Sequence, residues 1–205
     1  MTLTKSAPSV SLTKGGASGG QLTVNLNWNP WGASRPPGGG LLGKLRAVSA
    51  PNLDLDLACL WELTDGRKGV VQALGNAFGN LQGPPFVRLD GDDRTGSNVA
   101  GETLRVNLEA LPKIRRILVF AYIYEGAPNW AAAAGTVTLT PPTGPQIEVH
   151  LDEHDSRAPT CVIALLENVN GELMVRREVR YIRGAQDAVD RAYGWGMDWT
   201  PGRKD

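Results

Sequence analysis

The sequence predicts an all-β fold, a two-sheet β-sandwich with one C-terminal helix packed at its edge, and three observations carry that reading. Apolar residues recur with period two along most of the chain, Gly (25) and Pro (14) are frequent enough to punctuate many tight turns, and one late stretch alone has a helical period. A length of 205 residues suits one large all-β domain. Residues 1–205 are therefore read as a single domain, with a flexible Gly/Pro-rich insertion at 29–52 and an aromatic C-terminal tail at 194–205.

The elements follow in order. In "QLTVNLNW", Leu22, Val24, Leu26 and Trp28 share one face and Thr23, Asn25 and Asn27 the other, the pattern of a half-buried strand. The insertion "NPWGASRPPGGGLLGKLRAVSAPN" has no period and joins this strand to the next. "NLDLDLACLWEL" then puts Leu53, Leu55, Leu57, Cys59 and Trp61 on one face, with Asp54 and Asp56 together on the opposite one. Further strands are expected at Val70–Leu74, Phe86–Leu89, Thr103–Leu108, Arg116–Tyr124, Thr136–Thr140, Ile147–Leu151, Cys161–Glu167 and Glu172–Tyr181. "IRRILVFAYIYE" is apolar on both faces, as a central strand covered on each side must be. Asn170-Gly171 marks a hairpin between the last two strands. In "GAQDAVDRAY", Ala185, Ala188, Val189, Ala192 and Tyr193 fall at helical spacing.

Charge and cysteine content exclude several functions. Lys+Arg and Asp+Glu both number 21, so no net field draws the chain to nucleic acid. Cys59 and Cys161 sit among apolar neighbours and read as buried thiols rather than a disulfide or metal pair. The N-terminus lacks an apolar leader core, and no run approaches the ~18 apolar residues of a membrane span. A cytoplasmic protein without direct membrane insertion is expected.

No enzyme signature emerges. "GGGLLGK" has the glycine and lysine spacing of a phosphate loop, but Leu45 stands where a Ser or Thr must ligate Mg²⁺. No G-x-S-x-G elbow is present. His150, Asp152 and His154 would share a strand face at a zinc-compatible spacing, yet their acidic setting favours a solvated strand end.

"RLDGDDRTGSNVAGE" is the chemically richest stretch. It supplies Asp90, Asp92, Asp93, Asn98 and Glu102 within thirteen residues, among glycines that let short carboxylates converge. It is no EF-hand, because Arg94 and Thr95 occupy the fifth and sixth positions counted from Asp90. Alone, the loop fits a hard cation and a solvated turn equally. Asp54 and Asp56 shift the balance, since two aligned carboxylates repel unless a cation lies between them.

"SLTKGG", "LTVNLNW", "LDLDLACL", "LDGDDRTG…GE", "LRVNLEALP" and "ILVFAYIYE" come in an order that resembles the TerD family of bacterial tellurite-resistance and stress proteins. "ENVNGELMVRREVRYIRGAQDAVDRAYG" resembles that family's last hairpin and helix, so the likeness runs from about Ser11 to Gly194. The resemblance implies a calcium-binding β-sandwich without catalysis, acting in a chemical-stress response. It marks Asp54, Asp56, Asp92, Asp93, Glu102 and Asn76 as ligands, with at least one Ca²⁺ site and a second as an open alternative. The implied partners are other stress-response proteins, including a membrane-associated complex. The chain departs from the family where "SNVAG" replaces a longer run of Gly and Asp, where Asp93 replaces an Asn, and in its longer insertion. A calcium-independent interaction module, using the insertion and the aromatic C-terminus with Trp195 and Trp199, is the competing expectation.

Overall fold

The computed structural model describes residues 9–12, 19–28, 53–91 and 101–200. The insertion 29–52, the stretch 92–100 that contains Asp92 and Asp93, and residues 201–205 lie outside the described residues. Two antiparallel six-stranded sheets face one another. The first runs β1 (Ser9–Ser11), β12 (Glu172–Ile182), β11 (Thr160–Val169), β8 (Ile114–Glu125), β3 (Asp54–Leu63) and β4 (Lys68–Val71). The second runs β10 (Ile147–His150), β9 (Thr136–Thr140), β2 (Gln21–Asn27), β7 (Glu102–Asn107), β6 (Val87–Leu89) and β5 (Gly79–Asn80).

The alternation seen in the sequence builds the core directly. Leu22, Val24 and Leu26 of β2 and Leu104 and Val106 of β7 meet Leu55, Leu57 and Cys59 of β3 and Ile117, Val119 and Ala121 of β8. Such inward faces supply most of the apolar burial that stabilises a sandwich. β8 is covered on both sides, as its unbroken apolar run requires. Its other face, Leu118, Phe120 and Tyr122, joins Ala58, Leu60 and Val162 under an outer layer containing Val189 and Trp195.

Helix α2 (Gln186–Tyr193), preceded in the chain by the short helix α1 (Trp130–Ala133), brings Val189 to that outer face. It ends at Gly194 in the left-handed region (φ 60°), where glycine has no side-chain penalty. The strand expected at Val70–Leu74 ends early, at Val71. Gln72 N–H donates to the Ala77 carbonyl (3.0 Å), closing a turn over the 3₁₀ segment Leu74–Asn76.

The expectation of a projecting aromatic C-terminus needs correction for Trp195. This residue is fully buried (0%), and its indole N–H donates to the Trp61 carbonyl at 3.2 Å. Lys68 Nζ donates to the Trp195 carbonyl (2.6 Å), and the Arg116 guanidinium stacks 3.9 Å from the ring centroid. Asp190 accepts from Gly196 N–H, Met197 N–H and Trp199 Nε1–H at 2.8, 2.9 and 2.9 Å. A buried carboxylate with three donors fixes a segment that has no regular hydrogen-bonding ladder of its own. Trp195 is thus core, and it is unavailable to a partner in this conformation.

Candidate functional site

Among the described residues, Asp54 and Asp56 stand at the start of β3 and Glu102 at the start of β7. Asp54 and Asp56 open β3, on the face opposite Leu55, Leu57 and Cys59, as their spacing predicts. That face is closed to water: Asp54 is 2% and Asp56 0% exposed. Glu102 opens β7 and is 2% exposed.

Glu102 belongs to the second sheet but reaches the first. β4 pairs with β3 only from Cys59 to Glu62, so the edge of β3 before Cys59 has no strand beside it on that side. There the Leu57 N–H donates to Glu102 Oε2 at 2.7 Å. The backbone that delivers Glu102 is fixed by Gly101, whose φ of +65° suits glycine alone, and whose added Cβ would collide with the Leu26 carbonyl oxygen. Glu102 then registers opposite Leu26 of β2.

Tyr122 is a part of this site that sequence reasoning missed. It stands directly across from Asp56 in the β3–β8 ladder. Burial first, then the neighbouring charges of Asp56, Glu102 and Asp54, raise the ionisation of its hydroxyl far above the ordinary tyrosine value. The signal lay in cross-strand pairing, which alternation within one strand does not reveal.

The remaining candidates divide. Asn76 is exposed, at φ 54°, and ends the 3₁₀ segment that follows β4. Asp90 turns elsewhere: its Oδ2 accepts from Arg105 Nε at 2.7 Å in an exposed pair, while its N–H donates to the Thr103 carbonyl. The described chain stops at Gly91 and resumes at Gly101, beside Glu102. The ends of the insertion also meet here, with Trp28 Nε1–H donating to the Leu53 carbonyl at 3.0 Å.

Asp54, Asp56 and Glu102 offer hard carboxylate oxygens, the donor type that suits Ca²⁺ and does not favour soft metals. Gathered out of water as anions, such groups are costly without a compensating charge or strong donors. Among the described residues, no group of three or more His, Cys, Asp or Glu side chains is arranged to hold a metal ion as it stands. That includes the histidines. β10 ends at His150, which pairs with Glu148, and the Asp152 N–H donates to the Tyr181 hydroxyl, so His150, Asp152 and His154 do not line one strand face.

Both thiols are buried. Burial pushes Cys59 up to about 12 and raises Cys161 well above the ordinary thiol range. Neither is poised as a nucleophile. Among the described residues, no helix is long and apolar enough to cross a membrane.

No family model matches the chain. It is 45% identical over 204 residues to the tellurium resistance protein TerA of an Alcaligenes species, a match covering 100% of this chain and 58% of that protein. It is 31% identical over 127 residues to the stress response protein SCP2 of Bacillus subtilis (strain 168), covering 57% of each. The chain therefore spans less than two thirds of the length of the curated relatives it matches. In fold it is similar to the crystal structure of a homologue of the telluride resistance protein TerD from Streptomyces coelicolor A3(2). That match has a TM-score of 0.54 and 21% identity, and covers 82% of this chain and 94% of the other.

Proposed function

We propose that this chain, which belongs to the TerD family of tellurium-resistance and stress-response proteins, is a calcium-binding, non-enzymatic stress-response protein of the cytoplasm. The observation that carries the reading is the burial of Asp54 and Asp56 on β3 together with that of Glu102, whose carboxylate crosses from the second sheet to accept from Leu57 N–H on the same strand. Ca²⁺ takes six to eight oxygens, so the described acids supply part of a set that Asp92, Asp93, Asn76, backbone carbonyls and water complete. The ion would supply the positive charge that lets these carboxylates remain ionised out of water.

The chain's own residues do the rest. Asp54 and Asp56 are held parallel by the strand, Glu102 is aimed by Gly101, and Leu57 N–H fixes one of its oxygens. With the ion bound, this end of the sandwich becomes a surface for other stress-response proteins. A membrane-associated complex fits as partner through protein contacts, without insertion of this chain. The burial of both thiols, which raises their pKa values, supports a role without thiol chemistry on tellurium oxyanions.

Isothermal titration of chelator-stripped protein with Ca²⁺ tests the site. Saturable binding is expected for the natural sequence, with Asp56→Asn and Glu102→Gln each weakening it by at least about tenfold, the effect of losing one charged ligand. Unchanged affinity in both variants contradicts the proposal.

A further inference from the structure

We infer that Glu102 is a clamp between the two sheets as well as a cation ligand, so that one carboxylate couples ion binding to closure of this end of the sandwich. The clamp stands on the hydrogen-bond geometry, and the ligand role rests on the calcium reading above.

Leu57 lies on β3 of the first sheet, Glu102 on β7 of the second, and they are joined by a 2.7 Å N–H···O bond in a buried setting. The bond falls where the edge of the first sheet needs it. β4 covers β3 from Glu62 back to Cys59 and then turns away at Gln72, which leaves the Leu57 amide with no strand to receive it. A buried amide without an acceptor is costly, and a charged acceptor at this distance is among the stronger hydrogen bonds a fold makes. The backbone behind the clamp is close-packed: at Gly101, with φ +65°, an added Cβ would collide with the Leu26 carbonyl oxygen.

A carboxylate has two oxygens and about four acceptor sites. One oxygen can stay on Leu57 N–H while the group also meets a cation beside Asp56. Linkage then runs both ways: the clamp holds Glu102 ready for the ion, and the ion tightens the clamp. A side chain that only filled space would show neither effect.

Hydrogen exchange at the Leu57 amide, measured on the full chain in chelator and in Ca²⁺, separates the two halves. In chelator, Glu102→Ala is expected to speed exchange at Leu57 by about tenfold or more, while Glu102→Gln, which keeps an oxygen acceptor, stays near the natural rate. Should Glu102→Ala fail to fold, Glu102→Asp serves instead, since one methylene fewer draws the carboxylate away from Leu57. Adding Ca²⁺ is expected to slow Leu57 exchange severalfold in the natural chain and not in Glu102→Gln. Unchanged exchange in the Ala or Asp variant in chelator overturns the clamp. A clamp intact in chelator, with no calcium effect and no calcium-dependent melting shift in the natural chain, overturns the calcium reading instead. A calcium-dependent melting shift without any slowing at Leu57 overturns the coupling.

Discussion

At the scale of single residues, burial decides what chemistry is on offer. Cys59 and Cys161 are both 0% exposed and raised in pKa, so the folded protein is expected to give no reaction with Ellman's reagent at pH 7.5, and two equivalents in guanidinium. Rapid labelling of the native protein would reinstate thiol capture of an oxyanion. Gly101 carries a different constraint. Gly101→Ala must relieve both a positive φ and a collision with the Leu26 carbonyl, a combined cost of roughly 2–3 kcal/mol by denaturant titration. Gly101 stood in the sequence as one more loop glycine, because its partner is a carbonyl seventy-odd positions away in the chain. Asp54 and Asp56 were legible, since a period of two fixes their face whatever the rest of the fold does. That their face is closed to water was not, for burial depends on neighbours from other strands, such as Tyr122 opposite Asp56, that spacing within one strand does not show.

At the scale of elements, the segment after α2 behaves as part of the core. Trp195→Ala removes a fully buried indole and the surface on which Arg116 stacks, and is expected to cost about 3–5 kcal/mol in urea unfolding. A change near zero would return the aromatic C-terminus to the role of a free docking tail. Glu62 secures the same region, accepting from Arg115 and Arg116 at 2.7 and 2.6 Å. Burial works against its charge, but the two guanidiniums and Lys68 outweigh burial and lower its pKa below the ordinary 4.5. A carboxyl lowered on folding adds stability that is complete above 4.5 and lost as pH falls through the folded value. Between pH 5 and pH 3 the natural chain is therefore expected to lose more stability than Glu62→Gln, read from urea midpoints at each pH. Equal losses would show that the two arginines do not favour the ionised form. The sequence displayed "YGWGMDW" as exposed aromatic chemistry because no period marks the stretch. Its burial depends on Asp190, a helix residue whose spacing to three donors is a matter of the turn at Gly194.

At the scale of the whole molecule, two sheets that share a core are also joined by Glu102 of β7, which accepts from Leu57 N–H of β3. The sandwich itself was readable because alternation, turn residues and one helical period all point to the same architecture. Sheet order was not, since β4 beside β3 and β5 beside β6 put neighbours in sequence on opposite sheets, and only packing sets that crossing. The start of β3 carries Asp54 and Asp56, receives Glu102 through the Leu57 N–H, and joins Trp28 to Leu53, so the ion we propose there would act on both sheets rather than on one loop. The most direct test is thermal unfolding of chelator-stripped protein, titrated with Ca²⁺ and separately with Mg²⁺. A native-state ligand adds about 2.7 kcal/mol at a hundred times its dissociation constant, and each kcal/mol raises the midpoint of a domain this size by roughly 2–4 °C. The expected result is a rise of several degrees with Ca²⁺, little with Mg²⁺, and a smaller rise at every Ca²⁺ concentration in Glu102→Gln. A midpoint that stays flat as Ca²⁺ is raised to millimolar levels would contradict the account.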